Sequence, residues 1–275
     1  MTVENEVVIE PGGGYRHYWR DLWDYRELFA FLAWRDISVR YRQTVLGIAW
    51  SVLQPVLTMI VFTIVFGRIA NLPSGGVPYP LLVLAALIPW QFFTNSLSAC
   101  SASLVSNSNM ITKIYFPRLA LPTSSIIVCF VDLLIAAAVL LVLMAGYQVW
   151  PTLRFLALIP LTVLATGAAL GAGLWFAALN VKYRDFRYLL PFVVQLGTYV
   201  SPVGFSSSLV PGDLRLVYSL NPMVGVIDGF RWAILGEDAV FYLPGFLLSI
   251  GLAAVLLALG LRYFRATERS FADVI

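Results

Sequence analysis

Apolar residues along this chain are gathered into long blocks whose edges are charges. No charged residue stands between Arg42 and Arg68, so Leu46–Gly67 is predicted as a first membrane-crossing helix. None stands between Arg68 and Lys113 either, a stretch twice too long for one helix. Its middle, Asn71-Leu72-Pro73-Ser74-Gly75-Gly76-Val77-Pro78, is a cluster of turn formers, which leaves a second crossing near Pro80–Leu104. Further blocks predict a third crossing at Leu121–Ala145, a fourth at Phe155–Leu179, a fifth at Tyr188–Leu209 and a last at Phe241–Leu261. Each is close to the ~20 residues that a bilayer core requires. The predicted fold is an all-α polytopic membrane protein with six transmembrane helices.

Two stretches break this rhythm. Between Tyr18 and Asp36 the residues Tyr18, Leu22, Tyr25, Phe29 and Leu32 share one helical face, with Arg20, Asp24 and Glu27 opposite. Trp23 and Phe31 interrupt the pattern. With Trp19, Trp23 and Trp34 present, the segment predicts an amphipathic helix lying in the membrane interface. The second stretch, Ser201–Gly236, is too polar for a clean crossing, although Pro222–Leu235 is mostly apolar. Pro202, Gly204, Pro211, Gly212 and Asn221-Pro222 interrupt the backbone repeatedly. Irregular backbone at membrane depth persists only where protein or a wet cavity surrounds it. A re-entrant helical hairpin between helices five and six is expected here, with an ordinary outer loop carrying one surface helix as the alternative.

Composition changes the picture only by confirming the solvent. Sixty per cent of the residues are hydrophobic and 12% charged, with a mean hydropathy of +0.82, against about a quarter charged in soluble domains. Charge placement adds an orientation. Fourteen of the 18 Lys and Arg fall in segments on the N-terminal side of the membrane; only Arg68, Arg154, Arg215 and Arg231 fall on the other. By the positive-inside rule both termini are cytoplasmic. Residues 1–44 then read as a cytoplasmic arm with the interface helix, 45–262 as the transmembrane domain and 263–275 as a cytoplasmic tail. Met1–Glu10 holds three acidic residues and no base, so no cleavable signal is expected, and the first long apolar block serves for insertion.

The chemistry that is missing narrows the function. A Walker A loop needs a Gly-Lys-Ser/Thr, and the only lysines, Lys113 and Lys182, precede Ile114 and Tyr183. No catalytic residue, metal or cofactor is expected on this chain: the single His17 lies in the polar arm and excludes His-based zinc binding and Ser-His-Asp catalysis. Cys100 and Cys129 lie in apolar blocks and read as small fillers. Asp132 is the one ionisable residue well inside a predicted crossing. It is either functional or bonded to a neighbouring helix through hydroxyls such as Ser124 or Thr166. Gly167 and Gly171, with Gly173 nearby, predict close helix packing.

Several residues resemble a family. Arg40-Tyr41-Arg42, Leu46-Gly47, Trp50 and Gln54-Pro55 resemble the start of the first crossing in type-two ABC exporter permeases of the branch that exports O-antigen and teichoic-acid polysaccharides. Lys113-Ile114-Tyr115-Phe116-Pro117-Arg118 with Leu121-Pro122 is similar to that branch's cytoplasmic loop. Tyr183-Arg184-Asp185, Asn221-Pro222 and Arg231 match as well. The resemblance covers about Tyr18 to Arg265 and leaves out the Gly-rich first dozen residues. No single motif is diagnostic; their order and spacing carry it.

The resemblance implies a homodimer in the bacterial inner membrane, bound to two copies of a cytoplasmic ABC ATPase that holds ATP and Mg. Its substrate would be an undecaprenyl-diphosphate-linked glycan; membrane lipid is the other partner, and no nucleic acid is expected. A short helix within about Ser106–Phe116 would dock on the ATPase, which makes Asn109, Lys113, Tyr115, Arg118, Arg184 and Asp185 the coupling candidates. Arg35, Arg40 and Arg42 would receive the lipid diphosphate, as guanidinium groups pair phosphates bidentately. Trp90, Phe92, Phe93 and Tyr199 are candidates to line a sugar channel, and Asn221, Pro222 and Arg231 to build its outer gate. Aromatics make up 14% of the chain, a figure that interfacial belts would also produce. A permease for another lipid or a drug, an ion-coupled carrier and a membrane-embedded transferase remain as alternatives. The carrier lacks paired intramembrane charges. The transferase has only Asp36 and Asp185 as tempting positions.

Overall fold

A computed structural model describes residues 23–42, 45–114, 116–236, 239 and 241–271. Those residues form ten α-helices and no strand: α1 (Arg26–Arg42), α2 (Val45–Phe62), α3 (Tyr79–Ser106), α4 (Ser108–Ile111), α5 (Ala120–Gly146), α6 (Leu158–Lys182), α7 (Phe186–Val200), α8 (Gly212–Tyr218), α9 (Pro222–Leu235) and α10 (Leu243–Thr267). Helix α2 continues through a π-helical turn to Ile69, and α6 is preceded by a 3-10 turn at Leu153–Ala157. The turn cluster ahead of α3 forms as expected, with Gly75 and Gly76 at φ of +68° and +86°, where only glycine is unstrained.

Helix α3 is the axis of the bundle. Of its crossing segment 78% is buried, against 11% for α2, 28% for α5 and α6 and 22% for α10. It packs on α5, α6 and α9, and Leu81 to Ile88 form an unbroken buried run. Helices α6 and α10 approach backbone to backbone, because a Cβ on Gly260 would overlap the Gly171 carbonyl and one on Gly171 the Leu257 amide. Gly173 leaves room for the buried Cys100. The predicted close packing of small residues is realised at Gly171 and Gly173, while Gly167 only reaches Leu257 at van der Waals distance.

Among the described residues five helical segments are long and apolar enough to cross a membrane: Ala49–Ile69, Tyr79–Ser106, Ala120–Gly146, Leu153–Lys182 and Leu243–Thr267. They match five of the six predicted crossings. The predicted fifth, Tyr188–Leu209, is instead the 15-residue α7, about 22 Å long and short of the ~30 Å hydrocarbon core. The chain leaves the helix where Pro202 pushes Ser201 into an extended conformation, ψ 153°. Helix α9 is a buried helix, packed on α3, α6 and α10, with Met223 to Arg231 all inside. The surface-helix alternative therefore fits α8, which buries nothing, and not α9. Helix α1 and the turn ahead of it face Tyr25, Phe29 and Leu32 inward and leave Trp23, Phe31 and Trp34 exposed, as the helical face predicts. Tyr18, Trp19, Arg20 and Leu22 lie outside the described residues.

Candidate functional site

Three places carry polar side chains with work to do. The first is Asp132, near the middle of α5. Its Oδ1 accepts from the Tyr41 hydroxyl at 2.7 Å and the Ser51 hydroxyl at 2.8 Å, and Arg40 reaches Oδ2 at 2.7 Å. One carboxylate thus ties the end of α1 and the first turns of α2 to α5. The donors are not the anticipated Ser124 and Thr166, which hydrogen-bond to carbonyls of their own helices, at Leu121 and Thr162. They come from across the sequence because α1 climbs along α5. Burial, reinforced by the carboxylate, pushes the Tyr41 phenol up to about 12, so it is a fixed neutral donor. The carboxylate's side chain is 15% exposed and the Arg40 side chain 45%. The lock is therefore open on the arginine side.

That pairing changes the reading of the basic cluster. Arg40 is engaged by Asp132. Arg35 donates to Asp36 at 2.8 Å and to Asn107, the C-terminal cap of α3, at 3.0 Å. Each arginine has its own anchor. The side chain of Arg42 lies outside the described residues.

The second place is the hairpin. Arg231 on α9, 3% exposed, donates to the carbonyls of Leu82 at 3.2 Å, Phe205 at 2.8 Å and Val203 at 3.1 Å. Three donors of one planar fork fasten the irregular 201–205 segment to the first turn of α3. The Tyr79 hydroxyl adds a bond to the Gly204 carbonyl at 2.6 Å, and Ser207 donates to Asp228 at 2.7 Å. Asn221 caps α9 by accepting from the Met223 amide at 3.0 Å and donates to Ser201 at 2.8 Å, with Pro222 preset for the first helical position. Asn221, Pro222 and Arg231 are brought together as parts of one clasp, with Arg231 buried and the other two half-buried.

The third place is the connection between α3 and α5. Buried Ile111 and Phe116 anchor it, while Asn109, Lys113 and Ile114 project outward and Arg118 is half-buried. Tyr115 lies outside the described residues. Arg184 and Asp185 are exposed in the α6–α7 turn.

The aromatic candidates divide. Trp90 is buried against Gly197 and donates to Thr198 at 3.0 Å; Phe92 is buried edge-on to Phe130, ring centroids 4.9 Å apart. Phe93 is half-buried beside Trp90, and Tyr199 is exposed. Trp90 and Phe92 hold helices together, since α3 is central and most of its faces are covered. Of the polar residues that do reach open space, Gln91 and Asn95 were missed by the sequence reading, and Gln54 entered it only within the Gln54-Pro55 resemblance. They line a cleft beside Asp132 and Trp50. The available signal was the spacing of Gln91 and Asn95, four apart on one helix face.

Comparison with known proteins places these features. The chain is 28% identical over 266 residues to the O-antigen export system permease protein RfbA of Myxococcus xanthus, covering 93% of this chain and 98% of that one. It is 24% identical over 249 residues to the polysialic acid transport protein KpsM of Escherichia coli, covering 86% and 92%. To the inner membrane transport permease YadH of Escherichia coli K12 it is 26% identical over 207 residues, covering 69% and 77%. The ABC-2 type transporter family matches residues 27–235, from the start of α1 to the end of α9. This multi-pass helical membrane protein belongs to the ABC-2 type transporter family.

Proposed function

We propose that the chain is the membrane-spanning subunit of an ATP-driven exporter of lipid-linked polysaccharide. The observation that carries this reading is the match to relatives named for O-antigen export and polysialic acid transport along nearly their full length. In this reading the chain hydrolyses nothing itself. ATP and Mg belong to two copies of a separate cytoplasmic ATPase, which dock on Asn109, Lys113, Tyr115 and Arg118 and on Arg184 and Asp185. The exposed outer edge of the α3–α5 connection, held from behind by Ile111 and Phe116, supports that assignment.

The chain works as a homodimer in the inner membrane with both termini cytoplasmic. Helices α2 and α7 flank α3 and expose rows of apolar side chains, among them Leu57, Val61, Phe192 and Leu196, the sort of surface a second copy covers. The fifth of the six crossings is completed by α7 together with the irregular segment after it, and α8 and α9 form the re-entrant outer hairpin. The division into arm 1–44, transmembrane domain 45–262 and tail 263–275 is kept. The cargo is a glycan on undecaprenyl diphosphate, which Arg35, Arg40 and Arg42 meet at the inner surface and which passes between the protomers along Phe93 and Tyr199. Deleting the gene should abolish surface polysaccharide, with glycan-loaded lipid accumulating inside and plasmid-borne chain restoring export. Unchanged surface polysaccharide in the deletion strain would rule the reading out.

A further inference from the structure

The cleft between α2, α3 and α5 holds groups that neither the bundle nor the Asp132 lock uses. Gln54, Gln91 and Asn95 line it, Trp50 stands at its mouth, and the Arg40–Asp132 pair forms its polar side. Among the described residues none of the three carboxamides has a hydrogen-bond partner. Gln54 lies nine residues into α2, Asn95 eleven from the end of α3 and Asp132 twelve into α5. Each is therefore about 14–18 Å along its helix from the same end of the bundle, with Gln91 one turn further. All four lie within crossing segments, where polar groups persist only toward protein or a wet cavity.

We propose that this cleft is a saccharide subsite, one that takes the hydroxyl-bearing edge of a sugar as the glycan passes. The proposal rests on the polysaccharide reading above. Three features favour a sugar over other polar cargo. A carboxamide donates and accepts at once, which matches hydroxyl groups that do the same, and Gln91 and Asn95 present two from one helix face. The half-exposed indole of Trp50 offers a flat apolar surface for the C–H side of a ring. The cleft measures about 40 Å³, room for a hydroxymethyl group or two waters but not for a whole ring. A sugar would lie across it and insert one edge. Asp132, already accepting from three donors, is the fixed wall of the cleft, and the free amides make the contact.

Because the amides bond to nothing among the described residues, removing them takes no hydrogen bond from the bundle. The test uses the chain with its ATPase in nanodiscs and radiolabelled farnesyl-diphosphate-linked N-acetylglucosamine, with farnesyl diphosphate as the sugarless probe. Wild type should bind the sugar-bearing lipid about tenfold more tightly than the sugarless one, the effect of one or two hydrogen bonds. Gln91→Leu/Asn95→Leu should bind both alike, with an unchanged or raised Tm. A double variant that still discriminates as wild type does would overturn the subsite and leave the exporter reading standing. A variant that loses its dimer while keeping sugar discrimination would show that a second copy fills the cleft, and would also overturn it. Failure of the exporter reading has its own signature, surface polysaccharide that survives deletion of the gene.

Discussion

The clasp at Arg231 and the lock at Asp132 are built from similar parts to opposite effect. Both centre on one charged side chain that ties its helix to segments distant in sequence, and both satisfy it with three partners. Arg231 is sealed, and its partners are backbone carbonyls that cannot turn away. Asp132 is met by side chains from α1 and α2, one of them an arginine with nearly half its surface open. A bond to backbone fixes a fold; a bond to a rotatable, half-exposed side chain can be exchanged for water, lipid phosphate or substrate. The hairpin is therefore held by backbone contacts of its own chain, and the junction of α1 with α5 by side-chain contacts that can open.

Mutations should separate the two on a scale of stability. Arg231→Met leaves three buried carbonyls without their donor and should cost about 3–5 kcal/mol, read as a collapse of the folded fraction in detergent. Arg231→Lys should recover only part of it, since an ammonium cannot serve three fixed directions as a planar fork does. Asp132→Leu should cost less, about 2 kcal/mol, because Arg40 can turn to headgroups and only Tyr41 and Ser51 lose a buried acceptor. Asp132→Asn keeps those two bonds and should cost about 1 kcal/mol. Equal losses at Arg231 and Asp132 would erase the contrast.

Tyr41→Phe removes a single hydrogen bond and should cost about 1 kcal/mol. Its pH dependence sharpens the point. The Tyr41 phenol is pushed up from its usual 10 to about 12, by burial first and by Asp132 next. A group whose folded value is raised contributes fully below the unfolded value and loses that contribution as pH rises through the folded one. Wild-type stability should therefore fall toward that of Tyr41→Phe between pH 10 and about 12, measured by thermal unfolding at stepped pH. Smallest of all in stability is Lys113→Ser/Ile114→Ser. Both side chains are exposed, so Tm should move by less than about 0.5 kcal/mol equivalent while export is lost. Export at the wild-type level would remove the coupling role from this edge.

Much of this architecture was legible because charge and turn residues punctuate the apolar blocks. The helix ends at Tyr79, Ser106, Ala120 and Gly146 fall within two residues of the predicted ones. The end of the fifth predicted helix lies at Val200 and not at Leu209, because the two look alike as apolar residues while Pro202 decides where the helix stops. Side-chain roles were harder to read. Trp90 and Phe92 read as channel aromatics because a sequence does not show that α3 is the central helix and that its rings are covered. Asp132 was recognisable as an intramembrane charge, but its partners Arg40, Tyr41 and Ser51 lie more than 80 residues away and share no periodicity with it. Gln54, Gln91 and Asn95 belong to two helices whose facing sides only the packed bundle defines.

The central claim is that this chain is one half of a transporter whose motor is a separate polypeptide. Affinity purification of the tagged chain from its own membranes in mild detergent, with mass spectrometry of what comes with it, tests that directly. The account predicts a cytoplasmic ATPase carrying a Walker A loop, in one-to-one ratio with the tagged chain and lost from Lys113→Ser/Ile114→Ser. A chain that emerges alone and dimeric at every detergent strength would contradict it.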